Sequence, residues 1–141
     1  MFLGEYEYKV DNKGRLPLPP KFRQELAGEL MVTRGAEKCI VVYPVAEWRK
    51  LADELAARIA PSKMRTLNRV VFGSAFSLSL DGQGRIALPN PLRQWAEIGD
   101  NAVIVGLNNY VEVWNPKLWS SEKKSAEEQV WQIMESLEAQ Q

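Results

Sequence analysis

One segment of the chain occurs twice. Asp11-Asn-Lys-Gly-Arg-Leu-Pro-Leu-Pro-Pro-Lys-Phe-Arg-Gln returns as Asp81-Gly-Gln-Gly-Arg-Ile-Ala-Leu-Pro-Asn-Pro-Leu-Arg-Gln, at an offset of 70 residues. Asp11/Asp81, Gly14/Gly84, Arg15/Arg85, Leu18/Leu88, Pro19/Pro89, Arg23/Arg93 and Gln24/Gln94 are identical pairs, a density that chance does not produce. One residue further apart, Val32/Val103, Gly35/Gly106, Ile40/Val111, Val42/Val113, Tyr43/Trp114 and Trp48/Trp119 continue the echo. A duplicated module in 141 residues is a strong constraint, because the chain is too short for two independent cores of normal size.

Each copy reads as strand, turn, strand, short helix and β-hairpin. Glu5–Val10 and Ala75–Leu80 alternate apolar and polar residues, as half-buried strands do. Asp11-Asn12 and Asp81-Gly82 supply turn residues, and Gly14 and Gly84 tolerate positive φ. Pro20 and Pro91 suit a helix's first turn, Asn90 suits a cap, and Gly28 and Gly99 suit the exits, which predicts short helices near 20–27 and 91–98. Apolar strands follow as hairpins, 30–34 with 39–43 and 102–105 with 110–114, the second turning at Asn108-Asn109. Between the copies, Trp48, Leu51, Leu55 and Ile59 recur at helical spacing, and Pro61-Ser62 starts a second helix running toward Gly73. A last amphipathic helix after Trp119 carries Val130, Ile133, Met134 and Leu137 on one face. The expected organisation is therefore a first repeat (1–47), a helical linker (48–73), a second repeat (74–119) and a C-terminal helix (120–141), in a mixed α/β, mainly β fold.

Composition removes several function classes. There is no histidine, and with it go the commonest general base and the commonest metal ligand. The single cysteine, Cys39, sits in an apolar run and reads as a buried small hydrophobe. No segment has the length and apolarity of a membrane span, and the first residues lack a signal-peptide pattern, so a cytoplasmic protein with no membrane partner is expected. The net charge is zero, yet residues 1–72 carry +4 and residues 73–141 carry −4. A polyanion responds to the local field rather than to the sum.

The repeated Asp-x-x-Gly-Arg-[Leu/Ile]-x-Leu-Pro-x-x-[Phe/Leu]-Arg segment resembles the AbrB-like superfamily of bacterial DNA-binding proteins. Two copies separated by a helical pair, each ending in an aromatic-Pro…Trp stretch (Tyr43-Pro44…Trp48 and Trp114-Asn-Pro116…Trp119), resemble the MraZ family within it. The resemblance implies a duplicated swapped-hairpin double-psi β-barrel and a transcriptional regulator without a cofactor. It further implies that ring-like homo-oligomers bind double-stranded DNA, at repeated boxes upstream of the regulator's own division and cell-wall gene cluster, in association with the nucleoid.

Arg15 and Arg85 each follow a glycine at the foot of a turn, where a guanidinium reaches a phosphate or takes a guanine edge through its fork. A structural alternative stands beside this: each arginine pairs with Asp11 or Asp81, four residues earlier, and locks the turn. Lys13, Lys21 and Arg23 lie close to Arg15 in sequence and are candidates for one basic face with it, equally open to being solvated surface charges. Gln83 stands where the first copy has Lys13, which weakens the second copy's phosphate binding. Asp11, Gly14, Asp81, Gly84 and Arg93 are expected to be structural, Arg93 within the fold or at a subunit interface. Trp48, Trp119 and Trp131 are expected in the core or an interface rather than stacked on bases.

Two other functions compete. Double-psi barrels include a self-cleaving decarboxylase type processed at a Gly-Ser bond, and Gly73-Ser74 is present, but a helix exit followed by a polar strand residue explains that pair. An oligomeric structural or protein-binding module without DNA binding is the other alternative.

Overall fold

The computed structural model describes residues 1–139. The first copy contributes β1 (Phe2–Lys9), β2 (Arg15–Pro17), α1 (Pro20–Arg23), β3 (Glu29–Arg34) and β4 (Ile40–Pro44). Two helices follow, α2 (Val45–Arg58) and α3 (Pro61–Leu67), the second running into a π-helical turn over Asn68–Phe72. The second copy contributes β5 (Phe76–Ser79), β6 (Arg85–Ala87), α4 (Asn90–Ala96), β7 (Asn101–Asn108) and β8 (Val111–Trp114), and α5 (Pro116–Ala139) closes the described chain.

The six-stranded antiparallel sheet has the order β1-β7-β8-β4-β3-β5, and β2 pairs separately with β6. This order is a palindrome of the two copies. Each copy's first strand leaves its own hairpin and pairs with the third strand of the other, β1 with β7 and β5 with β3. The pseudo-twofold axis passes between Leu16 and Ile86, which face each other in the ribbon, and between Val41 and Glu112, which face each other where the hairpins meet. One core results, not two. Leu16, Leu18, Phe22, Leu30, Val32, Ile40 and Val42 pack with Ile86, Leu88, Leu92, Ala102, Ile104, Val111 and Val113 in one buried cluster. Sharing a core is how modules this small remove enough apolar surface from water.

The hairpins are buried on their other face as well. Cys39, Val41, Val103, Val105 and Trp114 form a second cluster, covered by Leu118 and Trp119 of α5. Asn115 caps α5, its side-chain oxygen accepting from the N–H groups of Lys117 and Leu118. Glu5 on β1 then anchors the helix, accepting from Trp119 Nε1 at 2.8 Å and pairing with Lys123 at 2.7 Å. Trp48 of α2 packs edge-on against Phe72 of the π-helical turn, ring centroids 5.1 Å apart, and against Tyr43 beside the second cluster. Thr33 Oγ donates to the Val71 carbonyl and ties that turn to the sheet.

Several local expectations need correction. The helix expected near 20–27 ends at Arg23, and Asn90 lies inside α4 rather than capping it from outside. Gly28 has φ +79° but lies five residues past the end of α1, which Gln24 closes in a right-handed conformation, and the left-handed residue ending α4 is Glu97, not Gly99. The C-terminal helix begins at Pro116, so Trp119 belongs to it, and its expected last residues, 140 and 141, lie outside the described residues. The third strands also match differently from the sequence echo: Val32 and Ile104 occupy equivalent core positions, an offset of 72, whereas Val103 points into the second cluster.

Candidate nucleic-acid interface

Each Asp-x-x-Gly-Arg segment folds as a tight turn locked by its own aspartate. Gly14 N–H donates to the Asp11 carbonyl and Asp11 N–H to the Arg15 carbonyl, both at 3.0 Å; Asp81 to Arg85 repeats both bonds at 2.9 Å. The geometry requires positive φ at the fourth residue, +80° at Gly14 and +73° at Gly84. Asp11 Oδ1 accepts from the N–H groups of Lys13 and Arg15, and Oδ2 accepts from Arg15 Nε at 2.6 Å. Asp81 treats Gln83 and Arg85 identically, with Arg85 Nε at 2.8 Å. The Arg15 backbone N–H, helped by the guanidinium and the Lys13 N–H, holds the Asp11 carboxyl down at about 2. At Asp81 the Arg85 backbone N–H is the leading cause of a downward shift.

The two turns meet because β2 and β6 pair. Leu16 and Ile86 face inward and are fully buried, so Arg15, Pro17, Arg85 and Ala87 alternate onto the outer face of the ribbon. Arg15 stands opposite Ala87 and Arg85 opposite Pro17. Arg85 Nη1 comes within 3.6 Å of Asp11 Oδ2, so one carboxylate sees arginines from both copies. The Arg15 side chain is 34% exposed and that of Arg85 22%. Asp11 engages Arg15 through Nε, which leaves the terminal nitrogens of the fork for a ligand. Lys13 at the first turn and Lys21 on α1 are exposed.

Arg23 and Arg93 take a different position. Arg23 is half-buried, donates from Nε to the Leu18 carbonyl at 3.0 Å, and lies against Gly84 of the other copy's turn. Arg93 lies against Gly14, where an added Cβ would come within 2.9 Å of its Nη1. These crossed contacts were not legible from the repeat, which matches the arginines and the glycines without saying which copy each contact joins. The Arg34 guanidinium stacked on the Trp95 ring, 3.7 Å from its centroid, carried no signal in the sequence reading either. Among the tryptophans, Trp48 and Trp119 pack on aromatic neighbours, whereas Trp131 is 70% exposed and lies outside this chain's core. Gly73 and Ser74 end the π-helical turn, Gly73 N–H donating to the Asn68 carbonyl and Ser74 Oγ to that of Val70.

Among the described residues, no cluster of metal-ligating side chains occurs and no helix is long and apolar enough to cross a membrane. The profile of a family described as "MraZ protein, putative antitoxin-like" matches residues 1–69 and again 71–137. A protein of Dehalococcoides mccartyi named "Transcriptional regulator MraZ" is 51% identical over 140 residues, 98% of this chain and 99% of that one. Proteins of the same name from Roseiflexus castenholzii and Halothermothrix orenii are 44% and 42% identical, over 86% and 98% of this chain and 85% and 97% of theirs. With both halves matched by one profile and relatives this similar along nearly their whole length, the chain belongs to the MraZ family.

Proposed function

We propose that this protein is a sequence-specific, DNA-binding transcriptional regulator that reads double-stranded DNA with the β2–β6 ribbon. The observation that carries this reading is the ribbon itself: two antiparallel strands with Arg15 and Arg85 on their outer face, side by side across a pseudo-twofold axis. A two-stranded ribbon fits the major groove, which is about 12 Å wide, and an arginine fork is the commonest partner of a guanine edge there. Arg15 and Arg85 are assigned to base or phosphate contacts, Lys13 and Lys21 to phosphates flanking the ribbon. Its charge distribution supports a polyanion partner despite the zero net charge, since residues 1–72 hold the cationic excess.

The protein acts as a ring-like homo-oligomer on repeated boxes upstream of its own division and cell-wall gene cluster, and sits on the nucleoid. Val130, Ile133, Met134 and Leu137 support the oligomer, exposed by 45–59% along one stripe of α5. The exchange of first strands between copies supports reading the fold as a swapped-hairpin double-psi barrel, in which one chain does the work of two single-copy subunits. Regulator names among the relatives favour this function over an enzyme.

Fluorescence polarisation against the DNA upstream of the gene, at two salt concentrations, tests the reading. Binding that weakens steeply with salt and exceeds binding to unrelated DNA is expected. Equal affinity for both DNAs removes the claim of specificity, and no binding at low salt leaves an oligomeric structural module.

A further inference from the structure

Each Asp-x-x-Gly-Arg turn is held from behind by the opposite copy. The Gly14 carbonyl accepts from Leu88 N–H at 2.9 Å, and the Gly84 carbonyl accepts from Leu18 N–H at 3.2 Å. The same two glycines are packed by arginines from across the axis: Arg93 against Gly14, Arg23 against Gly84. A side chain at either glycine would have to displace its arginine. A Cβ on Gly84 would collide with Arg23 Nε, and one on Gly14 would press on Arg93 Nη1. Arg23 is itself fixed, through Nε on the carbonyl of Leu18, the residue whose N–H holds Gly84.

We propose that Arg23 and Arg93 are crossed positioning residues: Arg93 braces the turn that aims Arg15, and Arg23 braces the turn that aims Arg85. The proposal rests on the reading of the β2–β6 ribbon as the DNA-contacting surface. It adds to a role for Arg23 as one more phosphate contact beside Arg15, because its Nε is held by the Leu18 carbonyl and its side chain packs against Gly84 of the other copy's turn. Mechanically, Gly14 immediately precedes Arg15, so a shift at Gly14 moves the Arg15 backbone N–H and with it the Asp11 bonds that orient the guanidinium. A bidentate fork tolerates little misplacement, so loosening a brace weakens recognition without removing any DNA contact.

The test is a set of double-mutant cycles on the full-length protein. Arg93→Gln and Arg23→Gln are each measured alone, in the Arg15→Lys background and in the Arg85→Lys background, where the fork is lost but a charge that holds phosphate remains. Affinity is read by fluorescence polarisation on the upstream DNA, and melting temperature and oligomer mass on the same preparations. Arg93→Gln alone should weaken binding about five- to tenfold, lose that effect in Arg15→Lys and keep it in Arg85→Lys; Arg23→Gln should show the reverse. Arg93→Lys, which keeps a stem and a charge against Gly14, should recover part of the loss. A second readout needs no DNA: the Nε–H resonance of Arg15 should move in Arg93→Gln and that of Arg85 in Arg23→Gln, each leaving the other in place.

Effects that add in both backgrounds overturn the crossed brace. Crossed resonance shifts without any loss of affinity also overturn the positioning role, while the ribbon keeps its function provided Arg15→Ala abolishes binding. If Arg15→Ala itself binds at full affinity, the reading of the ribbon fails first, and the brace falls with it by a different measurement.

Discussion

Arg15 divides its guanidinium between two tasks, holding Asp11 through Nε and keeping the rest of the fork toward solvent. Arg85 is more committed, with Nε on Asp81, Nη1 near Asp11 and less of its side chain exposed. It also lacks a cationic neighbour corresponding to Lys13, since Gln83 stands there. Arg15→Ala is therefore expected to abolish specific DNA binding while melting temperature and oligomer mass stay near the parent values, and Arg85→Ala to cost less. A lost bidentate base contact amounts to about 1–3 kcal/mol per site, multiplied wherever several subunits engage DNA together. If binding instead falls in step with the folded fraction, Arg15 is only a clamp. Glu112 makes a separate residue-scale prediction. Burial pushes its carboxyl above the ordinary value of 4.5, against the opposing hydrogen bond from Trp114 Nε1. An acid whose folded pKa is raised holds its proton longer in the folded state, so stability falls as pH rises from 4.5 through the folded value. Glu112→Gln keeps the acceptor for Trp114 and removes the half-buried charge; it should melt above the parent at pH 7, with the gap closing below pH 4.5. A lower melting temperature at pH 7 would show that the charge stabilises the sheet.

Among the elements, α5 is divided. Its first turns are capped by Asn115, packed by Leu118 and Trp119 on the second cluster, and pinned to Glu5, whereas the part from Val130 onward exposes its apolar stripe. A helix rises about 1.5 Å per residue, so that second half stands clear of the body that holds the first. Ile133→Glu should lower the assembly mass in light scattering and leave the melting of the sheet almost unchanged, because Ile133 is 59% exposed within the chain. A parent protein that scatters as a 16.0 kDa monomer at micromolar concentration rules out the oligomer altogether. The shifted match of β3 and β7 belongs to this scale too. A slip of one residue exchanges the two faces of a strand, and a polar residue on one face normally reveals it. Ala102-Val-Ile-Val is apolar on both faces because both are covered, so its register left no trace in the sequence.

At the scale of the whole molecule, the pseudo-twofold axis sets two turns side by side in the chain, and the proposed homo-oligomer would present several such ribbons. Ribbons held at fixed separations gain affinity only when the DNA boxes match those separations, through effective concentration rather than through new contacts. Inserting half a helical turn, about 5 base pairs, between adjacent boxes should reduce affinity sharply, and a full-turn insertion should restore part of it. An affinity indifferent to the insertion, measured by polarisation on otherwise identical duplexes, would mean that each ribbon binds alone.

What the sequence determined by itself was local and periodic. The repeat, the order of elements in each copy, the tight turns with glycine at their fourth position and the pairing of each arginine with an aspartate four residues earlier all depend on neighbours within a few residues. The tertiary structure decided everything that joins the copies: the exchange of β1 and β5, the single core, the meeting of Arg15 and Arg85 on one ribbon, and the turning of Arg23 and Arg93 onto each other's glycines. The physical reason is that two copies of one pattern are equally satisfied, residue by residue, by contacts within a copy or between copies. Burying enough apolar surface in so short a chain selects the second arrangement, and that choice is made by the packed whole rather than by any segment of it.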